Sequence, residues 1–365
     1  MSPSPLRRQI GQLLIAGFDG HQVPIELRSL AREFGLGGVI LFARNIAEPE
    51  QVAELCYEAA RLAPECPLWV SVDQEGGRVA RLKAPFTEWP PMATLGRSGD
   101  VRLAEQFARA LASELKSVGI NLDYAPVLDV HTNPKNPVIG DRGLSESAGE
   151  VARLGAAIVR TLQSGGIAAC GKHFPGHGDT QTDSHFEMPM VEHPKERLRE
   201  VELVPFKAAI EARVAMIMTA HVFNPALDEK RPATLSRHVV TDMLRDELRF
   251  EGVILSDDLE MKAIARTYNV PSAAVLAVEA GCDGVLVCSG DHATQWAVLE
   301  ALVHAVEHEQ LRLSRVEDAL ERQQRAKERF LAAPAVARPL QGRALRQLLG
   351  RDEHRAIADE MARFL

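Results

Sequence analysis

The sequence lacks any long hydrophobic run, and this bears on where the protein resides. No apolar stretch approaches the ~20 residues that a membrane-spanning helix requires. The run LLIAGF at residues 13–18 is too short for the hydrophobic region of a signal peptide, and no convincing cleavage site follows it. We therefore expect a cytoplasmic protein without a membrane partner.

Basic clusters are also absent, which argues against nucleic acid or an anionic membrane as the main partner. The 365 residues include 42 Lys and Arg against 50 Asp and Glu, giving a net charge of −8 and a pI near 5.9. Because charges of both signs are interspersed, no strongly positive surface is predicted. We expect a monomer that acts on a small molecule, without nucleic acid.

Cysteine is scarce and irregularly spaced. The five cysteines form no CxxC pair and their number is odd, so neither a disulfide framework nor a cysteine-based zinc site is predicted. We expect buried free thiols at Cys56, Cys66, Cys170, Cys282 and Cys288.

Short apolar runs recur along the chain, each followed by a polar residue, a turn and a longer amphipathic stretch. The runs occupy residues 13–18, 37–42, 68–72, 121–130, 166–170, 215–220, 252–256 and 284–288. Helical patterns lie between them at 50–62, 101–117, 148–163, 195–212 and 238–248. Continuous apolar strands that alternate with helices indicate a parallel sheet buried on both faces.

These alternating units predict an α/β fold, a (β/α)8 TIM barrel. An open doubly wound sheet is the alternative, because local patterns do not report closure. We assign residues 1–335 to the barrel, as a single domain. Residues 336–365, with an amphipathic stretch at 343–364, are predicted to form a C-terminal helical extension packed on the barrel.

Polar or ionisable side chains lie at the ends of almost all of the apolar runs. In a parallel barrel the carboxyl ends of the strands meet at one rim, where active sites of this fold lie. Groups of mixed charge at that rim would form a site for a neutral ligand with several hydroxyl groups. The rim residues predicted in this way are Asp19, Arg44, Asp73, Asp129, Lys172, His173, His221, Asp257, Asp258 and Ser289.

Two loops contain arginines suited to such a ligand. In VDQEGGRVARL (72–82), Asp73 ends a strand, a glycine pair lets the backbone approach a ligand closely, and Arg81 follows. The alternative interpretation of the glycine pair is a tight turn. In NPKNPVIGDRGL (133–144), the guanidinium of Arg142 has the geometry to hold adjacent ligand oxygens, although an incidental surface arginine would give the same pattern.

Residues 167–190 carry the densest group of titratable side chains. An apolar run opens into a loop rich in histidine and aspartate, as expected for a catalytic loop on a rigid scaffold. Zinc binding through His173 and His177 would require a helix, which the intervening Pro175 and Gly176 prevent. Metal binding is therefore the less favoured interpretation. The candidate metal ligands are His173, His177, Asp179, Asp183 and His185.

Proton transfer is the second interpretation of this loop. Asp183 and His185 are two residues apart, so an extended or turned backbone would place the carboxylate beside the imidazole. The carboxylate would raise the pKa of the imidazole and make His185 a proton donor near neutral pH. Asp257, at another strand end, would then be the nucleophile of a retaining glycoside cleavage.

Four motifs together resemble a known family. VDQEGGRVARL (72–82), NPVIGDR (136–142), KHFPGHGDTQTDSH (172–185) and SDDLEM (256–261) are similar in order and spacing to the N-terminal barrel of glycoside hydrolase family 3. The resemblance is to its bacterial β-N-acetylglucosaminidases and covers roughly residues 10–300. The elements KHFPGHG and DSH are the most specific part of it.

The resemblance implies roles for particular residues. It makes Asp257 the covalent nucleophile and His185 the acid/base, with Asp183 behind it. The implied subsite for N-acetylglucosamine consists of Asp73, Arg81, Arg142, Lys172 and His173. It further implies a cytosolic enzyme, without cofactor or metal, that removes N-acetylglucosamine from muropeptides. The GlcNAc-1,6-anhydroMurNAc peptides of cell-wall recycling are the expected substrates.

Two departures from the family pattern bear on these expectations. The β-glucosidases of the family append a second domain that supplies a carboxylate acid/base, and this chain is too short to include it, which favours the histidine. The Arg142 element continues with Gly143 and Leu144, where the subfamily often has serine and an aromatic residue. The alternatives are a family 3 β-glycosidase or phosphorylase of other specificity, a metal-dependent barrel hydrolase and, with least support, a binding protein.

Mobility is a further expectation for the loop at residues 174–186. Pro175, Gly176 and Gly178 allow it to hinge, and its charged tip must approach the leaving-group oxygen only when a sugar is bound. We expect it to move when empty and to become ordered when occupied.

Overall fold

A computed structural model of the chain describes residues 5–63, 66–184, 187–331 and 338–365. The strands are β1 (Leu14–Ala16), β2 (Gly38–Leu41), β3 (Trp69–Val72), β4 (Gln74–Gly76), β5 (Val79–Ala80), β6 (Leu122–Asp123), β7 (Ala168–Phe174), β8 (Met216–Thr219), β9 (Val253–Asp258) and β10 (Gly284–Val287). All except β4 and β5 are parallel members of one closed barrel, in the order β1, β2, β3, β6, β7, β8, β9, β10 and back to β1. The predicted (β/α)8 barrel is confirmed, and the open-sheet alternative is wrong.

Helices surround the barrel and close one end of it. They are α1 (Pro5–Gly11), α2 (Ile25–Phe34), α3 (Pro49–Ala60), α4 (Ala93–Ser98), α5 (Val101–Ser117), α6 (Ala148–Ser164), α7 (Lys195–Glu200), α8 (Val204–Glu211), α9 (Lys262–Ala265), α10 (Val270–Ala280), α11 (His292–Glu307), α12 (Leu313–Leu331), α13 (Gly342–Arg346) and α14 (Asp352–Ala362). A π-helix spans His238–Glu247, and single 3-10 turns lie at Ala43–Asn45, Gly140–Arg142 and Ala233–Leu235.

One predicted helix is divided in two. The pattern at 195–212 forms α7 and α8, and α8 has Pro205 in its first turn. Proline fits the first turn, where its missing N–H has no intrahelical partner, and it is unfavourable inside a longer helix. The segment is therefore helical as its periodicity indicates, but a second helix begins at Val204, next to Pro205, instead of one helix running through it.

Both faces of the barrel strands are buried, which explains why their sequences are continuously apolar. Side chains such as Ile15, Ile40, Trp69 and Tyr124 fill the interior of the barrel. Neighbouring side chains on the opposite faces, among them Val39 and Val70, join the large core between the barrel and its helices. Because side chains fill the interior, a ligand cavity at the rim does not extend into the barrel.

Helix α12 closes the amino-terminal end of the barrel. Phe330 packs against the interior Trp69 with ring centroids 6.5 Å apart, and the Trp69 indole N–H donates to Gln323 at 2.9 Å. Beside them the buried Asp283 pairs with Arg245 at 2.6 Å and Arg315 at 2.5 Å. These contacts occupy the end that carries fold stability in this architecture, leaving the carboxyl rim for function.

The C-terminal helices α13 and α14 contact the barrel helices. The buried Glu114 carboxylate, on α5, accepts hydrogen bonds from Gly350 N–H at 2.8 Å and from His354 Nδ1 at 2.8 Å. It also accepts from the Thr87 hydroxyl at 2.7 Å. The predicted boundary between residues 335 and 336 lies outside the described residues, so the division into barrel and extension stays a prediction.

All five cysteines are free thiols. Four are buried as predicted, whereas Cys66 is half-buried. In the four described ranges, none of the helices combines the length and the apolarity needed to cross a membrane.

Candidate active site

A cavity of about 460 Å3 lies at the carboxyl rim of the barrel. It brings together most of the residues proposed from the sequence: Asp73, Arg81, Arg142, Lys172, His173 and Asp257 all line it. Other predicted rim residues, including Arg44, Asp258 and Ser289, contribute to its wall. Residues from distant parts of the chain meet here because the parallel strands all end at this rim.

A buried ion-pair network forms one side of the cavity. Lys172 Nζ lies 2.7 Å from Asp73 Oδ1 and 2.6 Å from Glu75 Oε1. Glu75 also accepts two parallel N–H bonds from Arg142, each at 2.8 Å. Glu75, at the start of the hairpin after β3, was not among the predicted site residues. It holds the two cations that face the cavity.

The charges in this network stabilise one another. Burial alone would raise the pKa of Glu75, but Arg142 and Lys172 hold it well below its ordinary value. Burial alone would lower the pKa of Lys172, but Asp73 and Glu75 raise it above its ordinary value. Glu75 and Lys172 thus stay charged although both are buried, because each is paired with groups of opposite charge.

The glycine pair of residues 72–82 forms a tight turn that serves the site. Gly76 and Gly77 have φ of +111° and +55°, values that side-chain-bearing residues rarely adopt. The turn folds β4 against β5 and brings Arg81 back beside the strand end, with Nη2 3.4 Å from Asp73 Oδ2. The turn interpretation is therefore correct, and the turn positions Arg81 at the cavity.

Asp129 holds the start of the loop at residues 174–186, the histidine loop, in position. Its carboxylate accepts from His173 Nδ1 at 2.7 Å and from the His177 backbone N–H at 2.6 Å. It is fully buried, and although burial alone would raise its pKa, the interaction with His173 contributes to lowering it. The ionised carboxylate fixes the His173 ring with a proton on Nδ1. Asp129 was predicted as a rim residue, and its role is to orient His173.

His177 secures the next part of the loop. Its Nδ1 lies 2.7 Å from Thr180 Oγ1 and its Nε2 lies 3.2 Å from Ser184 Oγ. Burial lowers the pKa of His177 to about 4, so the ring is neutral at neutral pH. The Ser184 carbonyl also accepts from Ala263 N–H at 3.1 Å. Ser184 therefore contacts both His177 within the loop and Ala263 in the segment that follows Asp257.

No trio of His, Cys, Asp or Glu side chains within the described ranges is arranged to hold a metal ion. The ring nitrogens named above already have partners: His173 Nδ1 bonds Asp129, and both nitrogens of His177 bond hydroxyl groups.

The candidate nucleophile ends β9. Asp257 is half-buried in the cavity wall, and its Oδ1 accepts from the Asp258 backbone N–H at 2.8 Å. Burial alone would raise the pKa of Asp257, but His221 and His173 lower it. Burial raises the pKa of its neighbour Asp258 to about 7. One of the adjacent carboxyls is thus ionised at neutral pH while the other titrates there.

His221 lies behind these carboxyls rather than in the cavity. It is fully buried, with Nδ1 2.9 Å from Thr234 Oγ1 and Nε2 2.9 Å from the Asp258 carbonyl oxygen. Because a carbonyl only accepts, Nε2 carries a proton. The histidine holds the backbone at the nucleophile in position.

The proposed acid/base pair is only partly located. Asp183 is half-buried and directly precedes Ser184, which lines the cavity. His185 lies outside the described residues. Asp179 points elsewhere: it pairs with His193 at 2.5 Å and accepts from the Thr132 hydroxyl at 2.8 Å, joining neighbouring rim loops.

Residues Gly143 and Leu144, where the chain departs from the family pattern, leave Arg142 in place. Leu144 is buried in the main core rather than lining the cavity. Arg142 reaches Glu75 through Nε and Nη2.

The carboxyl rim of this barrel thus combines a buried network of cations and carboxylates with an ionised aspartate at a strand end. Residues 5–326 match the family model described as the Glycosyl hydrolase family 3 N terminal domain. The chain belongs to this family of glycoside hydrolases, as the motifs predicted, and within it to the β-N-acetylhexosaminidase group.

Three relatives are similar to the chain to different extents. A family 3 β-N-acetylglucosaminidase from Paenibacillus is 43% identical, covers 99% of this chain and superposes with a TM-score of 0.95, the match spanning 69% of that structure. NagZ from Neisseria gonorrhoeae, in complex with N-trifluoroacetyl-D-glucosamine, is 31% identical with a TM-score of 0.77, over 96% of this chain and 97% of its own. "Beta-hexosaminidase A" of Pseudoalteromonas piscicida is 39% identical over 73% of this chain, which spans only about half (48%) of that protein.

Proposed function

We propose that the protein is a retaining exo-β-N-acetylglucosaminidase in which Asp257 is the nucleophile and His185, assisted by Asp183, is the acid/base. The observation that carries the proposal is the shared cavity of about 460 Å3. It holds the Asp257 carboxylate beside the network of Asp73, Lys172 and Arg142. A nucleophile and a polyol-binding set face the same volume.

The network suits the non-reducing end of a sugar. Asp73 offers carboxylate oxygens to hydroxyl protons, while Lys172 and Arg142 donate to hydroxyl oxygens. Because these groups are already paired with one another, they are oriented before a ligand enters. The cavity ends on the filled barrel interior, with Tyr124, Met218 and Cys288 in its wall. A blind cavity of this kind accepts one terminal sugar, which is the basis for exo cleavage.

The chemistry proceeds in two displacements at the anomeric carbon. In the first, Asp257 forms a bond to that carbon as the bond to the leaving-group oxygen breaks, and His185 gives its proton to that oxygen. In the second, His185 takes a proton from water, and the water oxygen displaces Asp257. The lowered pKa of Asp257 keeps it ionised for attack at neutral pH.

The acid/base assignment rests on the motif together with its neighbours. Ser184 lines the cavity, directly after Asp183 in the chain, and its carbonyl accepts from Ala263 N–H in the segment after Asp257. We propose that His185, which follows Ser184 in the sequence, gives its proton to the leaving group. A histidine donor also repels an anionic acceptor less than a glutamate would, so phosphate is a candidate acceptor in the second displacement.

The sugar specificity we propose is N-acetylglucosamine, and the natural substrates are GlcNAc-1,6-anhydroMurNAc peptides of peptidoglycan. The Paenibacillus relative is a β-N-acetylglucosaminidase and the Neisseria relative was solved with an N-acylated glucosamine, which supports the sugar. The muropeptide aglycone rests on the family resemblance. We further propose that the protein acts as a monomer in the cytoplasm.

Hydrolysis of a panel of aryl β-glycosides tests the proposal. The aryl N-acetyl-β-glucosaminide should be cleaved at least about 100-fold faster than the aryl β-glucoside, since losing a matched polar group leaves buried partners unsatisfied. Asp257→Ala is the matched negative control and should abolish both activities. Equal rates on the two glycosides would contradict the sugar assignment. A large rate increase on adding phosphate would indicate the phosphorylase.

A further inference from the structure

A second cluster of reactive side chains lies at the opposite end of the barrel from the candidate active site. Gln12 precedes β1, Cys66 precedes β3 and Lys327 belongs to α12, so all three lie at the amino-terminal ends of the strands. They line a cavity of about 780 Å3, distinct from the one at the carboxyl rim. The glycosidase mechanism uses none of them.

The side-chain oxygen of Gln12 holds the amine and the thiol together. It accepts from Lys327 Nζ at 2.7 Å and from the Cys66 S–H at 2.9 Å. The nitrogen lies 3.8 Å from the sulfur. Lys327 is only 4% exposed, while Cys66 is half-buried in the cavity wall. Two nucleophiles from distant parts of the chain are thus held in contact by one shared acceptor.

The environment of Lys327 makes its amine reactive. Its oxygen partner is an amide, and within the described ranges no carboxylate forms an ion pair with it. Burial lowers the pKa of Lys327 to about 8, so an appreciable fraction of the amine is neutral near neutral pH. A neutral lysine in an apolar setting is a nucleophile, as in enzymes that form covalent lysine intermediates.

We propose that Cys66 and Lys327 form an oxidative modification site, at which a peroxide joins Lys327 Nζ to Cys66 Sγ by a covalent nitrogen–sulfur bond. The cavity gives a small oxidant access to the half-buried sulfur, and the adjacent amine is already at contact distance. The bond would staple the loop before β3 to α12 at the base of the barrel.

The reaction balances in two steps. The Cys66 sulfur attacks one peroxide oxygen, the O–O bond breaks, and the products are a sulfenic acid and water. The neutral Lys327 nitrogen then attacks that sulfur, the N–S bond forms, the S–O bond breaks, and the hydroxyl leaves with an amine proton as water. One peroxide is reduced to two waters, and the protein loses two hydrogen atoms. A dithiol reductant returns them and regenerates the amine and the thiol.

The other thiols lack this setting. Burial raises the pKa of Cys56 and of Cys282 to about 12, which leaves little thiolate to react with an oxidant. Cys170 and Cys288 are also buried, and although Cys288 lines the rim cavity, burial raises the pKa of both thiols above its ordinary value. Oxidation is therefore expected to be selective for Cys66 while the fold is intact.

The experiment treats the folded, full-length protein with hydrogen peroxide and maps its peptides by mass spectrometry without reductant. We expect a linked pair of peptides containing Cys66 and Lys327, lighter than their sum by two hydrogens, which separates on adding dithiothreitol. Because the staple closes a long loop, the melting temperature should rise on the order of 5 °C. Glycosidase activity should be retained, since the staple lies at the other end of the barrel.

Two variants keep the proposal open to refutation. Lys327→Arg keeps the positive charge but cannot form the bond, and Cys66→Ser keeps the size of the side chain without the sulfur. Both should give no linked peptide and no reversible rise in melting temperature. Oxidation of wild-type Cys66 only to sulfinic acid, with Lys327 unlinked, would overturn the proposal. So would a two-hydrogen loss that persists in Lys327→Arg.

Discussion

Replacing Glu75 by Gln tests whether the buried network holds Lys172 and Arg142, the cations proposed to bind the sugar, in place. The Glu75 carboxylate is 2% exposed, accepts two 2.8 Å bonds from Arg142 and lies 2.6 Å from Lys172 Nζ. Glutamine keeps the size but removes the charge and turns one oxygen into a donor facing two cations. Removing one partner of a buried ion pair costs about 3–5 kcal/mol. Because Asp73 still pairs with Lys172, we expect Glu75→Gln to lower the free energy of unfolding by about 3 kcal/mol.

Urea denaturation of Glu75→Gln and wild type at pH 7 measures this loss. Glu247→Gln is the matched control, because Glu247 pairs with Arg199 at 2.8 Å but both side chains are exposed, 38% and 44%. Its removal should cost about 1 kcal/mol or less. The kcat/KM of Glu75→Gln should also fall on the order of 100-fold, because Arg142 and Lys172 lose their fixed positions. A stability loss no larger than the control's, with unchanged kcat/KM, would refute the reasoning.

The same variant has a pH signature. Arg142 and Lys172 overcome the effect of burial and hold the pKa of Glu75 below its ordinary value, so the folded protein binds this proton more weakly than the unfolded chain does. The stability it contributes is present above the unfolded pKa of about 4.3 and is lost as the pH falls below it. Wild type should therefore lose more stability than Glu75→Gln between about pH 5 and pH 3.

Four further substitutions test the proposed catalytic groups and their surroundings. Asp258→Asn should raise the melting temperature much more at pH 8 than at pH 4, because the folded pKa of about 7 gives the protonated carboxyl a stability that is lost as the pH rises from the unfolded pKa of about 3.9 to above the folded value. Equal effects at both pH values would contradict this. Ser184→Ala removes the contact with His177. It should lower kcat on the order of 10-fold for substrates with poor leaving groups, with little change in KM. The control Ser164→Ala, on α6, should change neither kcat nor KM. His185→Ala should slow poor leaving groups strongly and activated aryl groups little, with Asp183→Ala following more mildly; one common factor for every leaving group would make His185 a binding residue.

The positions of the barrel strands could be predicted because burial on both faces leaves a direct mark on the sequence. Each of the apolar runs overlaps one barrel strand, but β7 and β9 extend beyond the ends of their runs, and the run 121–130 yields only the two residues of β6. Pro126 lies within that run and has no N–H to donate to a neighbouring strand, so the regular ladder stops early. The composition of a run therefore indicates a strand more reliably than it indicates its length.

Several residues lining the rim cavity could be predicted, but most of the residues that support them could not. Strand ends and motif resemblance singled out Asp73, Lys172 and Asp257. Glu75 was missed because its partner Arg142 is 67 positions away and its role depends on how closely two rim loops approach. Its one sequence signal was its place beside the glycine pair. The contact of Ser184 with His177 likewise depends on how the loop folds back on itself.

Covalent trapping tests the central claim most directly. The wild-type enzyme is incubated with a 5-fluoro N-acetylglucosaminyl fluoride, which forms a glycosyl-enzyme quickly and releases it slowly, and the labelled peptide is sequenced by mass spectrometry. If the protein is a retaining N-acetylglucosaminidase as proposed, the sugar will be attached to Asp257, and Asp257→Ala will not be labelled. A label on Asp258, or turnover of the reagent with no protein adduct in wild type, would contradict the account.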